Sequence, residues 1–359
     1  MNALDLSARM KRTVRAVAAA DAFALPMLGM GPEQIRRDLG DGDLVRRLCK
    51  APPGAVGSAF PPGAVSDVFA AGYLLLRGFL SDGGHITAAR AGRALLRLKT
   101  DAAFRPYFDD FLDPVTREGL ERLDGSYVST RFDLVPCDGR RINCSAAARA
   151  WVAGLLNPGD PEAAIRDAVT LSMPTHPNAI AISGAAVSAA LTAASFLPGF
   201  DCGRLYELAL KAARDGYELG LSAAGMPPVG AKLPQRIELA VNLALRYRRD
   251  PEKLLQELND VVGFGAYASE AVPSAVGLVI AAGGRAGEAV RLAANAGNCA
   301  CCTAVIAAAA CAASSPVDEA LEEHFEKVRA AAPFDWEPLW AGLTAFAELV
   351  EGGRDVFTL

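Results

Sequence analysis

Asn178-Ala-Ile-Ala-Ile-Ser-Gly-Ala-Ala-Val-Ser-Ala-Ala-Leu-Thr-Ala-Ala-Ser-Phe-Leu197 runs for twenty positions without a charged residue. That is long enough to span a bilayer. Its composition argues against a membrane, because Ala, Ser, Thr and Gly dominate and such small side chains suit close helix–helix contact inside a bundle. A second stretch, Thr303 to Ala313, is equally alanine-rich. Helices that are apolar on every side belong at the centre of a helical protein.

Around these two stretches the helical period recurs. Leu205 to Ala223 repeats apolar residues at three- and four-residue spacing, with Lys211, Arg214 and Glu218 among the polar positions. Met10 to Phe23, Asp67 to Leu80, Pro161 to Leu171, Arg236 to Tyr247, Pro251 to Val262 and Val317 to Ala331 follow the same rule. Pro273 and Pro316 are placed near helix starts, where a missing N–H costs nothing. Trp336 and Trp340, four apart, read as the docking face of a terminal helix. Tyr127 to Val135 is the only plausible extended run, flanked by Gly and by Pro-Cys-Asp-Gly turn material. No tandem repeat or low-complexity linker divides the chain, so one all-α domain over residues 1–359 is the economical expectation.

Composition narrows the partners. The chain has 359 residues, 52% hydrophobic and 21% charged, enough to bury a large core. A formal net charge of -5 argues against a nucleic-acid surface or an anionic membrane. Eight cysteines without even spacing read as reduced thiols, and Met1 to Arg15 holds no apolar leader segment. A cytoplasmic protein is expected, with neither a membrane nor a nucleic-acid partner; its oligomeric state is not legible.

The chemistry concentrates at Gly297-Asn-Cys-Ala-Cys-Cys-Thr-Ala-Val-Ile-Ala-Ala308. Cys299, Cys301 and Cys302 sit where a glycine-led loop enters an alanine-rich helix. The first turn of such a helix has unpaired N–H groups and a partial positive charge, which stabilise a thiolate. Small buried fillers are the competing reading, since free Cys is among the most buried residue types. In a helix starting near Cys299, that residue and Cys302 share a face and Cys301 turns away.

Four landmarks, in order, resemble the ADP-ribosylglycohydrolase family. Ala20-Asp21-Ala22-Phe23-Ala24-Leu25-Pro26 is similar to its Gly-Asp-Ala-Leu-Gly-x-Pro opening. Ser66-Asp67 resembles its Thr-Asp-Asp-Thr turn. Asn143 to Arg149, Asn157-Pro158-Gly159-Asp160 and Thr175 to Ala179 resemble its central loop, connector and Thr-His segment. Glu270 to Ala275 and then Ala294-Asn295-Ala296-Gly297 resemble the approach to its Gly-Gly-Asp-Thr-Asp-Thr metal motif.

The resemblance spans roughly residues 10–315 and implies a single large orthogonal helical bundle with a ribosyl- or nucleotide-binding cleft. In the family, two magnesium (or manganese) ions help cleave ribosidic bonds of ADP-ribose conjugates. Here the glutamate ending the opening motif falls on Leu28, and the Thr-Asp-Asp-Thr turn becomes Val65-Ser66-Asp67-Val68. The Asp-Thr-Asp-Thr run becomes Cys299-Ala300-Cys301-Cys302. Hard Mg²⁺ wants oxygen ligands, so the family's metal centre is not expected and no cofactor is assigned. Zinc would suit thiols better, but a lone Cys-x-Cys-Cys without a nearby His lacks the spacing of known zinc modules.

What remains is a candidate set. Asp67, Cys299, Cys301, Cys302 and His176 are candidates for chemistry, and Ser66, Asn143, Cys144 and Ser145 for holding a ribosyl or nucleotide-like small molecule. Each has a competing role: Asp67 as helix N-cap, His176 as a buried histidine satisfied by backbone. Arg149 and Asp21 are read as bracing residues. The resemblance implies a hydrolase with a non-standard site, or a non-catalytic binding or structural homologue.

Overall fold

The computed structural model describes residues 2–134, 138–199, 201–331 and 334–353. Among them there is no β-strand, only isolated bridges at Asp138–Pro228 and Asn143–Tyr267. The chain opens with α1 (Ala3–Ala24) and the short α2 (Pro32–Leu39), then α3 (Asp67–Leu80), α4 (Ala88–Thr100), α5 (Arg105–Asp110) and α6 (Pro114–Asp124). Two single-turn helices, α7 (Ser145–Arg149) and α8 (Trp151–Leu155), lead into α9 (Pro161–Ser172), α10 (Ala179–Ala194) and α11 (Cys202–Ala224). The second half holds α12 (Leu233–Tyr247), α13 (Pro251–Val261), α14 (Ala268–Ala281), α15 (Ala286–Asn295), α16 (Ala300–Cys311), α17 (Glu319–Ala331) and α18 (Trp336–Glu351).

Local sequence sets many of the starts. Asp113, Asp160 and Asp250 each precede a proline and each accepts backbone N–H bonds from the first turn that follows. A carboxylate N-cap with proline at the first helical position fills orphan donors and pre-sets φ at once.

The two alanine-rich helices lie at the centre. Every residue of α10 is buried, and it packs against α7, α8, α9, α11, α14 and α16. Every residue of α16 is buried as well, against α1, α14 and α15. Small residues permit this: a methyl added at Gly216 of α11 would lie 2.4 Å from the Cβ of Ala186. No single helix among the described residues is long and apolar enough to cross a membrane. The terminal helix docks through its tryptophans, with Trp336 and Trp340 stacked at 5.4 Å and Phe325 edge-on to Trp336 at 4.9 Å.

Two local expectations need correction. Tyr127 to Val135 is no strand; Arg131–Leu134 forms a 3-10 turn, and Val135 to Cys137 lie outside the described residues. The Asp133 carboxylate organises it, accepting from the Thr130 amide at 2.6 Å and the Tyr127 hydroxyl at 3.0 Å. Pro273 does not start a helix but lies inside α14. A proline there leaves the carbonyl four residues earlier without its helical donor. That carbonyl belongs to Ser269, and Arg236 on α12 donates to it at 3.2 Å.

Candidate active site

Two loops separated by more than a hundred residues meet on one backbone segment. The Cys299 amide donates to the carbonyl of Phe264 at 2.9 Å, and the Cys144 amide donates to that of Ala266 at 2.7 Å. The first loop is fixed further by Asn298, whose amide donates to the Met30 carbonyl, and by Gly29, whose amide donates to the Asn298 carbonyl. Gly297 enables the approach: its φ is +70°, and a Cβ there would sit 2.0 Å from the Met30 carbonyl oxygen. Residues 264–266 thereby carry both cysteines to one place.

The result is a cluster of three sulfurs. Cys144 Sγ lies 3.3 Å from Cys299 Sγ. With Cys302, all three sulfurs fall within 4.8 Å of one another. Cys144 and Cys302 are buried, at 1% and 4% exposure, whereas Cys299 is half-buried. The neighbouring thiols, Cys144 first and then Cys302, hold Cys299 well below the ordinary thiol range. Those two neighbours are pushed the other way: Cys144 chiefly by its bond to Cys299, Cys302 by its bonds to Cys144 and Cys299. A cysteine whose pKa is lowered at a helix start is the type that reacts readily.

Cys301 is not part of this cluster. It points to the other side of α16, where its buried thiol donates to the Asp21 carbonyl at 3.8 Å. Burial is the first cause holding it protonated. It therefore stands apart from the three-sulfur cluster.

Asp67 opens α3. The cap of that helix is Ser66, not Asp67: the Ser66 hydroxyl accepts from the Val68 amide at 3.1 Å and donates to Asp21 Oδ1 at 2.7 Å. Asp21 also accepts from the amides of Ser66 and Phe69, so it braces the turn as expected. Ser66 is buried, with its hydroxyl engaged by Val68 and Asp21. Asp67 is left half-buried, with no hydrogen bond or ion pair among the described residues. Burial pushes its carboxyl well above the usual range, and the neighbouring charges of Asp113 and Asp21 add to the shift. Arg149 works against it, and Cys299 is close enough to be felt.

His176 lies between Asn143 and Arg149. It is fully buried, and both ring nitrogens are taken. Nε2 lies 2.5 Å from Asn143 Oδ1, while Nδ1 faces the Arg149 guanidinium at 3.0 Å and the Thr175 hydroxyl at 2.9 Å. Arg149 carries only donors, so Nδ1 accepts and Nε2–H donates. The histidine is satisfied, though by side chains rather than backbone. Burial first, then Arg149, lowers it to about 3, so the ring stays neutral.

Asn143 continues this network inward, donating to Asp113 Oδ1 at 2.6 Å and accepting from the Ser145 amide at 3.0 Å. Asn143 and Cys144 thus build the site wall, and Ser145 starts α7 half-buried. Asp113 was missed in sequence. Burial opposes its charge, while the Thr116 hydroxyl and amide and the Arg149 guanidinium support it. Its only sequence signal was the Asp-Pro cap, which points to a helix start rather than a site.

The fold and this site stand beside two comparisons. The sequence model of ADP-ribosylglycohydrolase matches residues 2–349, and the chain belongs to that family. A solved structure described as an "ADP-ribosylglycohydrolase-related protein complex" superposes with a TM-score of 0.55 at 18% identity, covering 96% of this chain and 98% of that one. At that identity the likeness concerns the fold alone. No curated protein matches the chain.

Proposed function

We propose that this chain hydrolyses an N-glycosidic or related bond of a ribosyl or nucleotide-like small molecule, with ADP-ribose conjugates as the class, and does so without a dinuclear magnesium centre. The donors around the cleft do not suit two hard ions. Such a pair needs several carboxylates to offset its repulsion where charges are poorly screened. Asp21 is spent on Ser66 and Phe69, Asp113 on Thr116 and Asn143, and sulfur stands at Cys299 and Cys301. Only Asp67 is unengaged.

The observation that carries the reading is that the Asp67 carboxyl, with no hydrogen-bond partner among the described residues, lies close enough to Cys299 for their charges to interact. Cleavage of a ribosidic bond builds positive charge on the ribosyl carbon and negative charge on the leaving atom. Asp67 gives its proton to the leaving atom as the bond breaks, and the Cys299 thiolate faces the cationic carbon. Water then adds to that carbon and returns a proton to Asp67. General acid help of this kind is worth about 10²–10⁴-fold.

The test is hydrolysis of a panel of ADP-ribose conjugates by chelator-treated protein. Activity that persists in chelator, is lost in Cys299→Ala and survives in Cys301→Ala is the expected pattern. Dependence on added magnesium, or equal activity in Cys299→Ala, would sink it. A protein that binds ADP-ribose but turns over none of the panel would be the non-catalytic homologue instead.

A further inference from the structure

We propose that Cys144, Cys299 and Cys302 form a binding site for one thiophilic divalent cation, with zinc as the ion that fits best. The sulfur positions carry the inference. Zinc binds thiolate at about 2.3 Å, so tetrahedral coordination sets neighbouring sulfurs ~3.8 Å apart. The observed trio is compatible with that spacing, with one pair at 3.3 Å and no pair beyond 4.8 Å. Only small side-chain rotations would bring three sulfurs onto one ion, because the backbone under Cys144 and Cys299 is already tied to Phe264 and Ala266.

The surroundings suit the charge. Three thiolates and Zn²⁺ sum to one negative charge, and the cluster lies at the N-terminal turn of α16, whose partial charge is positive. The buried Arg149 guanidinium is close enough to interact with Cys302. Cys144 and Cys302 are buried and Cys299 is half-buried, and no fourth His, Cys, Asp or Glu joins the cluster among the described residues, so a fourth coordination position is left for a non-protein ligand. Three protein ligands with one open position is the pattern of a site that takes water or a ligand. The Cys299–Cys302 run alone does not show this site, because its third sulfur comes from a residue 155 positions away.

Binding rests on the sulfur geometry and stands whether or not the hydrolysis proposed above does. The consequence for activity rests on that proposal: an ion held by Cys299 removes the free thiolate, so zinc inhibits and a chelator restores.

The experiment uses the full chain, kept reduced, stripped by chelator and reloaded with zinc. Competition against a chromophoric chelator gives stoichiometry and affinity, and X-ray absorption at the zinc edge counts sulfur neighbours. The expected result is one ion with three sulfur neighbours. Cys144→Ser, Cys299→Ser and Cys302→Ser should each weaken it at least about 100-fold, more than loss of an outer-shell partner costs. Cys301→Ser should leave the affinity unchanged. If a buried variant fails to fold, the wild-type sulfur count and protection of Cys299 from alkylation by zinc decide instead. No zinc retained against the chelator, fewer than three sulfur neighbours, or equal weakening in Cys301→Ser would overturn the proposal. Hydrolysis unaffected by bound zinc would count against the function alone.

Discussion

Cys299 and Cys301 are two residues apart, yet the helix gives them opposite environments. One meets two thiols and is half-buried, and the other is sealed against the Asp21 carbonyl. That division was legible, because residues three apart share a helix face and residues two apart do not. The role of Cys144 was not legible, since nothing local ties residue 144 to residue 299; the tie is the backbone of residues 264–266. Asp67 is the second residue on which chemistry depends. A carboxyl raised by burial and like charge is an acid that fails as pH rises through its own pKa. Asp67→Asn should lower turnover by about 10²-fold or more. It should also abolish the alkaline fall of the wild-type rate profile, and steady-state rates across pH check both. An unchanged profile would remove Asp67 from the mechanism.

Among the elements, helix starts were the easiest part to read. Asp-Pro caps at α6, α9 and α13 announce themselves within four residues. Pro273 was misread for the opposite reason. Its tolerance inside α14 comes from Arg236, on another helix, which donates to Ser269 and also to the Val262 carbonyl at 2.9 Å. Sequence periodicity has no access to such a partner. Arg236→Met keeps length and apolar stem but removes both donors. It should cost about 1–3 kcal/mol, the penalty for buried carbonyls left unpartnered. Urea unfolding of the two proteins measures this, and a difference near zero would mean that water satisfies the carbonyls instead.

Across the whole molecule, buried ionisable groups impose opposing pH dependences. His176 is lowered from 6.5 to about 3, so between those limits the unfolded chain binds a proton that the fold refuses. Its contribution is full above about 6.5 and is lost as pH falls towards 3, at up to about 1.4 kcal/mol per pH unit. Asp67 has the reverse sign. Its folded pKa is raised, so stability declines as pH climbs from the ordinary carboxylate value, about 3.9, towards the folded one. Asp67→Asn should therefore be more stable than wild type at neutral pH and alike at pH 3, which denaturation midpoints across pH will show. The order of the family's landmarks along the chain was readable, and it led to the fold. The division of labour among the charged residues was not, because burial and cross-chain partners decide which carboxylates are spent on bracing. The most direct measurement of the central claim follows alkylation of each cysteine against pH by mass spectrometry. Cys299 should react fastest and titrate well below the ordinary thiol pKa of about 8.5, with Cys144, Cys301 and Cys302 slow throughout. A Cys299 that titrates at the ordinary value, or reacts no faster than Cys301, would contradict it.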